Sequence, residues 1–176
     1  MNLAWYIVLG CALLAILAAA AAFNRMVRLR NRVRRAWQDI DVQLELRHRL
    51  VPLLVQTVRG YARHESELLE EVTRRRAAAA SASRVSERGE LERSLSQAAG
   101  EVLFLAEKYP QLKADAAYAD LSARLVALED DLASSRKYYN GSVRAYNDFI
   151  QSFPQLLLAR LLRFEAAEYF QLREGE

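Results

Sequence analysis

Residues 139–154 read YNGSVRAYNDFIQSFP, so Tyr-Asn occurs at 139–140 and again at 146–147, and an aromatic returns at Phe153 before Pro154. Seven residues bring a helix back to nearly the same face, so an aromatic repeated at that interval marks a packed seam. Working outward confirms the phase. Tyr118, Leu121, Leu125, Leu128, Leu132, Ser135, Tyr139, Ser142, Tyr146, Phe149 and Phe153 hold one 3-4 spacing. Tyr139, Tyr146 and Phe153 are therefore core by position, while Lys137, Arg144 and Gln151 fall opposite and face water. Asn140 and Asn147 come one residue after the seam, at its flank. Packing explains the tyrosines and leaves the asparagines unexplained, so Asn140 and Asn147, with the outward Arg144, are the candidate partner contacts.

The same spacing recurs twice upstream. Val33, Trp37, Ile40, Leu44, Val51, Leu54, Val58, Tyr61, Leu68 and Val72 form one run, interrupted by Arg47 and Glu65. Leu91, Leu95, Ala98, Val102, Leu105 and Tyr109 form another. Sustained repetition of this kind means helices packed side by side in coiled-coil fashion. Glycine is scarce, at 6 residues in 176, and proline occurs 3 times, so strand and turn punctuation is nearly absent. The predicted fold is all-α, a transmembrane helix continuing into an antiparallel bundle of three main helices and a short C-terminal one. Connections near Arg84–Gly89 and at Tyr109-Pro110 make neighbours antiparallel. The seam phase continues through Pro52, which predicts one kinked helix there. Pro110 ends the second helix and Pro154 the third, with a short helix opening after Pro154. Ala77–Ser83 reads as a fraying end before a loop. Arg47 and Glu65 read as buried residues that fix helix register. Val42, Leu46, Leu53, Leu103 and Phe104 lie off the seams and either widen the core or form an apolar patch for a partner.

The N-terminus has a different character. Residues 1–24 carry no charged side chain, and Leu3–Phe23 as a helix covers about 31 Å, the thickness of a hydrocarbon core. Trp5 and Tyr6 suit an interfacial belt at one end. Arg25, Arg28, Arg30, Arg32, Arg34 and Arg35 follow at the other, with no acid among them. Such a run sits on the cytoplasmic side and touches anionic lipid. Trp5, Tyr6, Arg25, Arg28, Arg30 and Arg32 are thus the expected membrane contacts. The topology is a single pass with the N-terminus out and the bundle in the cytoplasm. A cleaved signal would want basic residues before the apolar run. Leu9-Gly10-Cys11 has too little sequence before it for a lipoprotein site. Ala15/Ala19 and Ala18/Ala22 have the small-xxx-small spacing that lets spans associate, a weak signal in an alanine-rich span. The net charge of +3 comes from 25 Lys and Arg against 22 acids; without the six arginines the balance is 19 against 22, or −3. The basic balance belongs to the juxtamembrane segment, and nucleic acid is not an expected partner. Expected boundaries are an anchor at 1–24, a basic segment at 25–35, a bundle at 36–172 and a tail at 173–176.

Catalytic signals are weak. One cysteine excludes an internal disulfide and a Cys-based zinc site. Glu45-x-x-His48 has the spacing of a di-iron bundle unit, but His64 carries Tyr61 three residues before it, so no second copy exists. No phosphate loop, Gly-x-Ser-x-Gly, His-Glu-x-x-His or dinucleotide fingerprint is present. The chain is expected to be no enzyme and to carry no cofactor or metal. The apolar tail, Gln155–Leu172, carries Arg160 and Arg163, and a basic apolar helix can lie on a membrane. The expected chain path argues against that and places the tail at the membrane-distal end, where Leu157, Leu161, Phe164 and Phe170 cap the bundle; partner docking is the alternative.

The chain resembles the LemA family across nearly its whole length. The resemblance rests on the anchor with its basic stretch, Val42-Gln43-Leu44, Arg47-His48-Arg49-Leu50-Val51-Pro52 and Leu54-Val55-Gln56-Thr57-Val58-Arg59-Gly60-Tyr61. It continues through His64-Glu65, Ala106–Lys113, Tyr138-Tyr139-Asn140, Tyr146-Asn147, Ser152-Phe153-Pro154 and Tyr169-Phe170. Leu53 stands where the family commonly has asparagine, and Glu165-Ala166 follow Phe164 where a proline is frequent. The resemblance implies an all-helical, membrane-anchored bacterial protein of the inner membrane, without established activity and with no catalytic residues to carry over. It further implies accessory roles: some relatives look linked to membrane metalloprotease systems, and one branch to magnetosome membrane biogenesis. The function expected is that of a membrane-anchored adaptor or scaffold binding protein partners. The alternative is a self-assembling, membrane-shaping protein that forms homo-oligomers.

Overall fold

The computed structural model describes residues 2–170, with side chains from residue 4. Every regular element among them is helical. The six helices are α1 (Asn2–Tyr61), α2 (Ser66–Ser81), α3 (Val85–Phe104), α4 (Pro110–Lys113), α5 (Ala116–Gln151) and α6 (Gln155–Leu161). The chain forms two compact units, both discontinuous in sequence: Met1–Ala36 with Asn140–Ala167, and Trp37–Tyr139 with Glu168–Glu176. Each unit combines an early and a late segment of the chain. Leu172 and the expected tail at 173–176 lie outside the described residues.

The second unit contains four antiparallel helical passes. Its α1 and α5 segments pair in opposite directions: Trp37 stacks near Tyr139, Arg47 binds Glu129, and the Tyr61 hydroxyl donates to Asp115 at 2.7 Å. Between them run α2 and α3, a hairpin closed at Ala82–Arg84 and tied by Arg75 Nη1 donating to the Ser94 carbonyl at 3.1 Å. α3 returns to α5 through the Tyr118 hydroxyl, which donates to the Leu103 carbonyl at 2.7 Å.

The expected third helix is therefore a fourth pass. The first seam does not stay on one helix. α1 stops at Tyr61, Ala62 leaves helical geometry at φ −118°, ψ 59°, and a 3₁₀ turn at Arg63–Glu65 starts α2. Periodicity misses this break because Tyr61 and Leu68 keep the heptad interval across it. The hairpin loop lies at 82–84, so most of the Arg84–Gly89 connection is helix α3. α3 ends at Phe104 and passes through a 3₁₀ turn before Pro110, which opens α4.

α1 is continuous through Pro52. Proline cannot donate to the carbonyl of His48, the residue four positions before it. Arg76 of α2 supplies the missing partner, its Nε donating to the His48 carbonyl at 2.7 Å. The Pro52 ring is exposed, where it displaces no packing.

Most seam residues are buried, among them Ile40, Leu44, Val51, Leu54, Val58, Leu95, Val102, Leu125 and Leu132. Phe153 is the correction: it is 80% exposed. α5 ends at Gln151, so Phe153 lies in the turn beyond the helix whose face it was assigned to.

Candidate functional site

In the first unit, the N-terminal part of the apolar stretch of α1 is open. Residues 4–18 are all exposed, Trp5 and Tyr6 included. Among the described residues this is the one helix long and apolar enough to cross a membrane. The arginines after it divide. Arg28 and Arg32 are exposed. Arg25 stays exposed but lies over the Phe149 ring, 4.7 Å from its centroid. Arg30 is half-buried and lies 4.8 Å over Phe164. Cations over ring faces are held by the ring quadrupole, so these two also bind the chain's own C-terminal part.

The tail is not remote from the apolar segment. Phe164 packs edge-on against Phe23, with centroids 6.1 Å apart and planes at 83°. An apolar crevice of about 430 Å³ is lined by Ala15, Ala18, Ala19 and Ala22 on one side and by Pro154, Gln155, Leu157 and Leu158 on the other. The small-residue stripe thus faces α6. The expected bundle cap is overturned: within the first unit this part of the tail packs beside the apolar segment of α1. Leu157 and Leu161 are exposed and cap nothing; Phe164 packs in the first unit and Phe170 in the second.

The repeated Tyr-Asn pair binds main chain. In the first unit the Tyr146 hydroxyl donates to the Glu165 carbonyl at 2.8 Å. Asn147 reads Ala167 with both ends of its amide: Nδ2 donates to the carbonyl at 3.0 Å, and Oδ1 accepts the N–H at 2.8 Å. Asn147 is buried, so its assignment as a partner contact is replaced by a structural one. The asparagine amide supplies this irregular segment with the donor and acceptor that a neighbouring backbone would offer. In the second unit the Tyr139 hydroxyl donates to the Glu168 carbonyl at 2.8 Å, and the rings of Tyr139 and Phe170 lie 5.6 and 5.9 Å from Trp37. Burial, reinforced by Glu168, pushes the Tyr139 phenol up to about 12. Burial also raises Tyr146, while Arg30 and Arg34 pull it down. Asn140 is half-buried and Arg144 exposed.

A charged cluster is buried in the second unit. Arg47 and Glu92 are each 1% exposed and meet at 3.0 Å. Arg47 also binds the Glu129 carboxylate, which accepts from Ser96 at 3.3 Å. His48 Nε2 lies 2.7 Å from Glu92 Oε1, without hydrogen-bond alignment. Sequence patterning exposed Arg47 as a seam residue; Glu92 stays invisible there because it neighbours apolar Leu91 and Leu95 without interrupting the seam. Glu65 is half-buried and accepts from the Tyr109 hydroxyl at 3.3 Å. The Glu45 of the Glu-x-x-His motif is exposed and pairs with Arg49. Among the described residues no group of three or more His, Cys, Asp or Glu is placed to hold a metal ion. With its carboxylates committed to Arg47, the cluster orders three helices.

The sequence profile of the LemA family matches residues 36–176, most of the chain. The chain belongs to the LemA family. Its similarity to protein LemA of Metamycoplasma hominis runs over 155 residues at 25% identity, covering 87% of this chain and 70% of that protein. It is 35% identical over 74 residues to magnetosome proteins MamQ 1 and MamQ 2 of Paramagnetospirillum magneticum, covering 42% of this chain. The match spans 27% of the length of each magnetosome protein. Among the described residues this LemA-family chain is all-helical, with one long apolar N-terminal helix, as its periodicity implies.

Proposed function

We propose that this LemA-family protein is a membrane-anchored helical adaptor that binds other proteins and catalyses no reaction. The anchor reading rests on the exposed apolar surface of α1 over residues 4–18, which hydrocarbon would cover. Arginines at 25–35 with no charge before residue 25 support a single pass with the N-terminus outside and the second unit in the cytoplasm.

The observation that carries the adaptor reading is an apolar stripe on the outer face of α1. Val42, Leu46 and Leu53 are all exposed and lie at intervals of four and seven, so they share one face. These off-seam residues do not widen the core. A helix face of this kind is what a partner helix reads. Exposed Arg144 is the charged candidate that remains from the Tyr-Asn region.

A photo-crosslinker at Leu46 in native membranes tests the reading. The expected result is an adduct with a second protein that is lost on Val42→Ser with Leu53→Ser. The family resemblance makes a membrane metalloprotease system the first class to seek among the adducts. Adducts only between copies of this chain would replace the adaptor with a self-assembling scaffold. No Leu46 adduct, with adducts forming at Arg144, would move the contact off the stripe.

A further inference from the structure

The residues around α6 form a second apolar surface beside the anchor. Leu157 and Leu161 are 60% and 76% exposed and, four apart on α6, share one face, while Phe153, in the turn before the helix, is 80% exposed. A water-facing stripe this apolar is anomalous on a helix of 7 residues. Its position supplies the occupant. The same segment, through Pro154, Gln155, Leu157 and Leu158, lines a crevice with Ala15, Ala18, Ala19 and Ala22 of α1, with Leu157 at its edge and still 60% exposed. Those alanines lie in the uncharged stretch before Arg25, so the level at which α6 sits is that of the apolar helix.

Two further features fit lipid. Residues 149–164 contain no acid and two arginines, Arg160 and Arg163, both exposed. Long arginine stems let apolar neighbours enter hydrocarbon while the guanidinium stays with phosphate. Backbone groups in hydrocarbon must be satisfied internally. At the α6 N-terminus Leu156 N–H donates to Ser152 O at 2.7 Å and Leu157 N–H to Pro154 O at 3.1 Å. At the C-terminus Arg163, at φ 55°, closes a Schellman turn: Phe164 N–H reaches Ala159 O at 2.9 Å, and Arg163 N–H reaches Arg160 O at 3.3 Å.

We infer that α6 is a second membrane contact, lying in the leaflet beside the arginine-flanked end of α1 with Phe153, Leu157 and Leu161 in lipid. At 7 residues it covers about 10 Å and cannot cross. This rests on the reading of α1 as an anchor, and the test separates the two.

The test uses the full-length protein with Cys11→Ala, reconstituted in vesicles of phosphatidylcholine and phosphatidylglycerol. Single cysteines replace Leu157, Leu161, Leu17 or Arg144, each carrying an environment-sensitive fluorophore. The expected result is that a lipid-borne doxyl quencher quenches at 157 and 161 as it does at 17, while aqueous iodide quenches only at 144. Iodide quenching at 157 and 161 with lipid quenching kept at 17 would overturn the inference and leave the anchor standing. Iodide quenching at 17 would remove both. Protection at 157 and 161 from both quenchers would mean that protein covers α6, which also overturns it. All four sites are exposed, so labelling leaves the packing undisturbed.

Discussion

A single asparagine shows how a side chain can do main-chain work. Asn147 presents one donor and one acceptor to Ala167, and both are buried when used. Asn147→Ala leaves the Ala167 N–H and carbonyl without partners, at about 1–3 kcal/mol. The expected outcome is a lower melting temperature and faster proteolysis beyond Phe164. Unchanged melting would return Asn147 to the pool of surface contacts. Tyr139 makes a second prediction. Its folded pKa, about 12, lies above the unfolded value of 10.0, so the folded state holds the proton more tightly. That contribution is fully present below pH 10 and is lost as pH rises towards 12. The loss is on the order of 2 kcal/mol. Denaturant melts at stepped pH should show the decline, and Tyr139→Phe should flatten it. A decline as steep in the phenylalanine variant would assign it to other groups.

Among the elements, α1 is defined by how it survives Pro52. A proline inside a helix costs about 3 kcal/mol, much of it the lost bond and the clash with the preceding turn. Arg76 recovers the bond part by capping the His48 carbonyl. Arg76→Ala should therefore destabilise by about 1–3 kcal/mol in the natural background. With Pro52→Ala the residue at 52 regains its own N–H for His48, and the Arg76→Ala penalty should shrink. A double-mutant cycle reads this as a coupling energy. Additive effects would show that Arg76 acts elsewhere.

On the scale of the whole molecule, the buried cluster ties α1, α3 and α5 of the second unit through Arg47. Replacing Arg47 by leucine strands Glu92 in the interior, which should cost about 3–5 kcal/mol. Changing Arg47 and Glu92 together to leucine should recover most of it, because well-packed apolar groups serve as well as a buried pair. Thermal melts of the three proteins decide; an equally unstable double variant would mean the charges do more than cancel each other. The fold class was legible because seam leucines such as Leu44, Leu54, Leu125 and Leu132 follow one period and are buried. The reversal at Ala62 was not, since periodicity records which face a residue takes and carries no direction of travel. Arg47 was visible as a charge in a seam, whereas its partners lie 45 and 82 residues away. The clamp on Ala167 was hidden because nothing in an irregular segment shows which side chain will read its backbone. The off-seam position of Val42, Leu46 and Leu53 was legible, and their exposure was not, because periodicity does not show which flank a neighbouring helix will cover.

The first unit joins residues 1–36 to residues 140–167. During synthesis the apolar helix leaves the ribosome about 100 residues before the segment that packs beside it. At roughly 5–20 residues per second that is on the order of 5–20 s. Throughout that interval the alanine stripe is open and the stretch around Arg30 lacks Phe164. A message that ends before codon 150 therefore releases a chain that carries the whole apolar helix with much of its first unit unmade. Quality control would meet that species as an orphan.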